Sequence, residues 1–153
     1  MLYLAGALAG AWALEVFAHA PPCPLCRLAR IPYYLALLPA AIAIPASARQ
    51  TRACLGLIAI AMTVSAGISL YHAGVQWQLW AGPGGCSGSR DILSATTDEL
   101  LQQLQAMQSA RCDAPGFSLF GISLAAWNVV FSSVAALLAW QSRRAAASIP
   151  LTP

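Results

Sequence analysis

The chain has 153 residues, 59% of them hydrophobic and only 8% charged, a composition that excludes an ordinary soluble globular domain and places a single domain in a lipid bilayer. All eight basic residues are arginines, the acids are Glu15, Asp91, Asp98, Glu99 and Asp113, and the net charge is +3. Charge this sparse, with no basic tract, excludes nucleic acid as a partner.

Residues 2–20 form the first apolar run, just long enough to cross a hydrocarbon core of about 30 Å. Its end, Ala18-His19-Ala20, resembles a signal-peptidase site, but there is no basic segment before the run, Glu15 interrupts it and Pro21 follows at once. The run is therefore expected to stay as a span. An ionised carboxylate in lipid is costly, so Glu15 needs a polar partner inside the bundle or a place at the interface.

The stretch Pro21-Pro22-Cys23-Pro24-Leu25-Cys26-Arg27-Leu28-Ala29-Arg30 organises the rest of the chain. A Cys-x-x-Cys pair closes a small, readily exchanged disulfide, and a cysteine in the first turn of a helix near cationic side chains is set up to act as a thiolate. If a helix begins near Cys26, Arg30 falls on the same face one turn on. Pro22 and Pro24 fix the approach to that helix, and Pro32 lies in its first turn or at a kink just inside it. Other readings of the pair are weaker. A structural zinc site wants a second Cys/His pair at ligand spacing, and the cysteines at 54, 86 and 112 supply none, so no metal is expected. Haem attachment wants His after the second Cys, where Arg27 stands. An inert structural disulfide gains little from closing a two-residue loop.

A second span is expected over 28–46, with Tyr33 and Tyr34 as anchors at its outer interface, a third over 53–75, closed by Trp77 and Trp80, and a fourth over 117–140. Small residues recur in all four, as close helix packing in lipid requires. Cys54 opens the third run and reads as an inert small hydrophobe. Arg49, Arg52, Arg143 and Arg144 flank spans in short segments, whereas Arg27 and Arg30 belong to the cysteine motif and Arg90 and Arg111 to a long loop. The denser set puts both termini on the cytoplasmic side and both cysteine loops outside. Paired loop cysteines also want an oxidising face such as the bacterial periplasm. The outer loop, 76–116, carries Cys86 and Cys112. Between them Thr96 with Glu99 reads as a capping box, followed by Leu100, Leu101, Leu104 and Met107 on one face. A short amphipathic helix on the membrane surface or across the top of the bundle is the expectation. The fold class is thus an all-α membrane protein, a four-transmembrane-helix bundle.

Four spans, a Cys-x-x-Cys just before the second and two more cysteines in the loop before the fourth resemble the DsbB-type disulfide-bond formation proteins, the membrane thiol:quinone oxidoreductases. The resemblance covers essentially the whole chain and is most specific in CPLCRLARIPYY at 23–34, YHAGVQWQLWAGPGGC at 71–86 and CDAPGFSLFGISLAAWN at 112–128. It implies a quinone-side disulfide between Cys23 and Cys26, with Cys26 facing the quinone, and a partner-side disulfide between Cys86 and Cys112, with Cys86 attacked by a periplasmic DsbA-like thioredoxin-fold oxidase. It implies Arg30 and His72 at the quinone, ubiquinone or menaquinone, and a location in the bacterial inner membrane. Some members carry an acid where this chain has Ala29. Electrons would pass from the partner to Cys86/Cys112, then to Cys23/Cys26 through a Cys23–Cys112 bond, then to the quinone, an acceptor oxidising enough for the task where glutathione is not.

Two alternatives stay open at this point. A membrane reductase of the vitamin K epoxide reductase type also has two cysteine pairs, but carries its Cys-x-x-Cys late in the bundle. A non-catalytic membrane subunit braced by disulfides predicts cysteines that remain oxidised before a reduced partner. The orientation is checked by reporter fusions placed after Arg52 and within 84–89, which are expected to report opposite sides of the membrane; the same side for both overturns it.

Overall fold

The computed structural model describes residues 1–17, 22–82, 98, 112 and 118–148. Within them the chain forms four helices, α1 (Leu2–Phe17), α2 (Pro24–Ile42), α3 (Ala48–Gln76) and α4 (Leu124–Ser148), with a two-stranded hairpin, β1 (Ser118–Leu119) and β2 (Ile122–Ser123), leading into α4. Pro24–Ile42, Ala48–Gln76 and Leu124–Ala146 are each long and apolar enough to cross a membrane. The 16 residues of α1 are apolar too, but at 1.5 Å per residue they reach only about 24 Å. The protein is therefore a multi-pass, all-α membrane protein. Of the expected surface helix in the outer loop, only Asp98, which is helical, is described; the remainder falls outside the described residues.

Caps and prolines, which hydropathy does not register, move the helix ends away from the apolar runs. α2 starts at Pro24, in the first-turn position where a missing N–H costs nothing, and it stops short of Pro45, which disfavours helical backbone in the residue before it. α3 starts within the polar linker because Ser47 caps it: the Gln50 side chain accepts from the Ser47 backbone N–H at 3.1 Å. α4 starts later than the apolar run because 118–123 turn back on themselves. Phe120 and Gly121 at the turn both have positive φ, 55° and 77°, as a two-residue hairpin turn with a type I′ twist requires. Its far end runs past Trp140, over which the guanidinium groups of Arg143 and Arg144 stack at 5.4 and 5.3 Å.

α3 is the central helix, packed against both α2 and α4, while α1 lies on α2. Leu4 and Leu8 of α1, Tyr33, Ala36 and Ala40 of α2 and Met62 of α3 form the main apolar cluster, with Ala135 and Ala136 of α4 against it. Leu35, Leu38, Leu57, Ile60, Val130 and Leu137 are exposed on the outside, the surface that acyl chains would cover.

Lipid offers no solvent to unpaired polar groups, so the polar residues inside the bundle bond to one another. The Tyr33 hydroxyl donates to Asn128 Oδ1 at 2.8 Å and lies 2.9 Å from Ser132 Oγ. Ser132 reaches Ser65, Ser65 donates to the Ala29 carbonyl, and the Asn128 amide donates to Ser69. Three helices are tied at one level, beside the break that Pro32 makes in the α2 ladder. Tyr33 is thus a buried core residue, 3% exposed, rather than an interfacial anchor. Tyr34 does face outward, where its hydroxyl accepts from Trp12 Nε1 at 3.0 Å.

The helices alternate in direction, so the start of α2, the end of α3 and the start of α4 meet at one end. Arg49 and Arg52 mark the other, with Arg143, whose side chain lies so close to Gly56 that an added Cβ would be 3.3 Å from its Nε. Replacing Tyr33 by Phe removes the hydroxyl that joins α2 to α4. The expected loss is about 0.6 to 1.7 kcal/mol, the range of interhelical hydrogen bonds in bilayers, measured as the shift in SDS unfolding in mixed micelles.

Candidate functional site

Cys23 is the N-cap of α2. Its backbone is extended (φ −67°, ψ 162°), and its sulfur accepts the Cys26 backbone N–H at 3.2 Å, the role a Ser or Asp oxygen usually takes. This brings the two sulfurs to 2.9 Å, with the Cys23 thiol donating to Cys26 Sγ. That hydrogen bond first, and burial second, push the Cys23 thiol up to about 12. Cys23 is buried and Cys26 is half-buried, so the pair offers one partly accessible sulfur and one covered, proton-bearing partner.

The third member arrives from the last turns of α3. His72, 3% exposed, stands with Nε2 3.5 Å from Cys23 Sγ and Nδ1 3.9 Å from Cys26 Sγ. The end of α3 is fixed by the chain folding back on it: Leu79 N–H donates to the Gly74 carbonyl, and Trp80 Nε1 donates to the Tyr71 carbonyl at 3.0 Å while its ring stacks on Tyr71. The indole lies directly on Gly74, where any Cβ would collide with it. Glycine is needed there for this close approach, and the turn bearing His72 is held from outside. Gln76, one turn after His72, places its amide 3.4 Å from His72 Nε2.

Cys112 is fully buried in the same apolar cluster as Cys23, Leu25 and Val75, with Cys26 packed against it. Three of the four cysteines expected to react thus gather at one end of the bundle; Cys86 lies outside the described residues. Cys54 is buried in α3, near the opposite end. Arg30, one turn beyond Cys26, donates through NH1 to Glu15 Oε2 at 2.9 Å and through NH2 to the Ala11 carbonyl at 3.4 Å. The pair is part-buried, 18% exposed for Arg30 and 31% for Glu15, so Glu15 has the polar partner that a carboxylate in a membrane helix needs. Arg27 is exposed.

The arrangement suits thiol–disulfide exchange: an accessible sulfur at a helix start, a second sulfur in contact with it, and an imidazole within reach of both to hold or move a proton. It also has the makings of a metal centre, since ligand atoms of Cys23, Cys26 and His72 all lie within 4.8 Å of one another. Sequence spacing did not show this, because the third ligand comes from a different helix. Gln76 was likewise missed. The available signal was its i, i+4 relation to His72, which puts both on one face of α3.

If Cys23 retains its proton as this geometry requires, single-hit alkylation of the reduced protein at pH 8 should mark Cys26 well ahead of Cys23. Because the thiolate is the reactive form, labelling at Cys23 should climb about tenfold per pH unit below its pKa. Peptide mapping by mass spectrometry measures both, and equal rates at pH 8 contradict the assignment.

A family model described as disulfide bond formation protein DsbB matches residues 1–141. No curated protein and no solved structure matches the chain. With the match spanning nearly its whole length, the chain belongs to the DsbB family of disulfide-bond formation proteins, as a multi-pass membrane disulfide oxidoreductase.

Proposed function

We propose that this protein reoxidises a periplasmic DsbA-like thioredoxin-fold oxidase and delivers the electrons to a membrane quinone, ubiquinone or menaquinone, in the bacterial inner membrane. Both termini are then cytoplasmic and both cysteine loops periplasmic. The observation that carries this reading is the burial of Cys112 in one cluster with Cys23 and Cys26, which puts an outer-loop sulfur beside the Cys-x-x-Cys pair. The gathering of Arg49, Arg52 and Arg143 at the opposite end supports the orientation.

In this scheme a thiolate of the reduced partner attacks Cys86 in a Cys86–Cys112 disulfide and releases Cys112. The partner's second thiol then resolves the mixed disulfide and leaves Cys86 as a thiol. Two electrons have entered, and the two thiol protons remain on the pair or pass to water. Cys112 next attacks Cys23 in the Cys23–Cys26 disulfide, releasing Cys26 as thiolate. Cys86 resolves the Cys23–Cys112 bond, which restores the outer disulfide and leaves Cys23 and Cys26 reduced.

A quinone supplies the final two-electron, two-proton sink. The residues fit such a group: Cys26 is the more accessible sulfur of the pair, and among the described residues two of the five guanidinium N–H groups of Arg30 are engaged, leaving donors for an oxygen on which negative charge develops. His72 lies beside both sulfurs and can pass a proton from either.

The test is quinone-dependent oxidation of a reduced thioredoxin-fold protein by the purified protein. Turnover is expected, and it should stop in Cys86→Ser. A wild-type protein whose cysteines stay oxidised before the reduced partner overturns the proposal. Within that assay Arg30→Gln should raise the apparent KM for quinone, Arg30→Lys should do less because the charge survives, and Arg27→Gln should matter least. Since Arg30→Gln also strips Glu15 of its counter-charge, a Glu15→Gln/Arg30→Gln double variant separates loss of the quinone contact from an unpaired carboxylate in the bundle. An Arg27→Gln effect larger than that of Arg30→Gln removes Arg30 from the quinone site.

A further inference from the structure

We propose that the reduced Cys23–Cys26–His72 cluster is a zinc site that takes one Zn²⁺ per chain in place of the two thiol protons. Two thiolates and an imidazole make the borderline-soft donor set that zinc prefers over magnesium or calcium. Bond lengths of about 2.3 Å to sulfur and 2.0–2.1 Å to nitrogen in a tetrahedron set ligand separations of about 3.6 Å for S···N and about 3.8 Å for S···S. The structure already holds His72 Nδ1 3.9 Å from Cys26 Sγ, and ligand atoms of Cys23, Cys26 and His72 all lie within 4.8 Å of one another. The sulfurs, 2.9 Å apart, need to separate, which they do once no proton is shared between them. Cys112 lies outside the group of mutually close ligand atoms, so the fourth position goes to water entering on the half-exposed Cys26 side.

A second observation points the same way. Gln76 Oε1 is buried with no hydrogen-bond partner among the described residues, although its amide lies beside His72 Nε2. Turned end for end, the amide sets that oxygen to accept Nε2–H and leaves the Nδ1 lone pair for the ion. This is the outer hydrogen bond that metal-binding histidines usually make. In the binding step two S–H bonds break, two Zn–S bonds and one Zn–N bond form, two protons leave to water and no electron moves. The zinc-bound cluster is locked reduced, so the ion acts as a reversible brake on any exchange through these sulfurs.

The experiment uses the full chain in detergent, reduced with a non-thiol reductant and titrated with Co²⁺ as a spectroscopic stand-in. One equivalent should give thiolate-to-metal charge-transfer and tetrahedral d–d bands that Zn²⁺ abolishes. Because losing a group that merely orients a ligand costs about 10–100-fold in metal affinity, Gln76→Leu should weaken binding by that order and His72→Ala by at least as much. Wild-type protein with Cys23 and Cys26 oxidised should bind nothing, a comparison that needs no variant to fold. Cys54→Ala and a Cys86→Ser/Cys112→Ser variant should keep the bands. Absent bands, bands that survive oxidation or His72→Ala, or bands lost with Cys86 and Cys112 each overturn the site. None of these readouts depends on quinone or on a protein partner.

Discussion

The Tyr33 hydroxyl, held between Asn128 and Ser132, is the contact on which the rest of the structure depends. Apolar packing alone gives helices in lipid little reason to choose one register over another, because acyl chains are as apolar as leucine. A buried hydroxyl must find its partners, and the chain from the Ala29 carbonyl through Ser65, Ser132, Tyr33 and Asn128 to Ser69 leaves α2, α3 and α4 one relative height. His72 is three residues beyond Ser69 and Cys26 three residues before Ala29. Fixing the network therefore fixes the distance from imidazole to sulfur. The reactive end is assembled by polar contacts deeper in the bundle.

Charge is handled by the same logic. The start of α2 brings Arg30 into a part-buried position where an unpaired guanidinium would be costly, and α1 answers with Glu15 and the Ala11 carbonyl. With Trp12 bonded to Tyr34, and the Tyr3 hydroxyl donating to the Phe131 carbonyl at 2.7 Å, these contacts dock a helix that is too short to be positioned by span length. An arginine held from two sides has few rotamers left, so its remaining donors are aimed before any ligand arrives.

Much of this was legible in the sequence, and the rest was hidden for physical reasons. Hydropathy revealed the apolar segments, and prolines around a Cys-x-x-Cys announced a helix starting at the motif, because Pro24 and Cys23 act through the local backbone. Contacts between helices were another matter. Nothing in spacing says that His72 meets Cys23 or that Glu15 meets Arg30, since each pair is joined through a turn whose geometry follows only from packing. Tyr33 shows the opposite failure. A tyrosine near a span's end reads as an interface anchor, and only the presence of Asn128 and Ser132 across the bundle turns it inward. Helix ends drifted for a similar reason: Ser47 with Gln50 starts α3 in a polar stretch, and the Phe120-Gly121 turn delays α4.

In the proposed exchange the sulfur of Cys23 has two occupations, exchange partner and helix cap, and they cannot be fully independent. As a thiol it receives the Cys26 backbone N–H. Once bonded to another sulfur, its lone pairs are redirected and it becomes a poorer acceptor, so the first turn of α2 loses part of its cap each time Cys23 enters a disulfide. Linkage makes the dependence mutual: whatever tightens that first turn favours the dithiol, and whatever frays it favours the bonded form, at a rate of about 30 mV for each 1.4 kcal/mol. Pro24, by pre-setting the backbone of the turn, limits how far the fraying can go. Backbone order at the mouth of α2 and the electron affinity of the cysteine pair are two aspects of a single equilibrium.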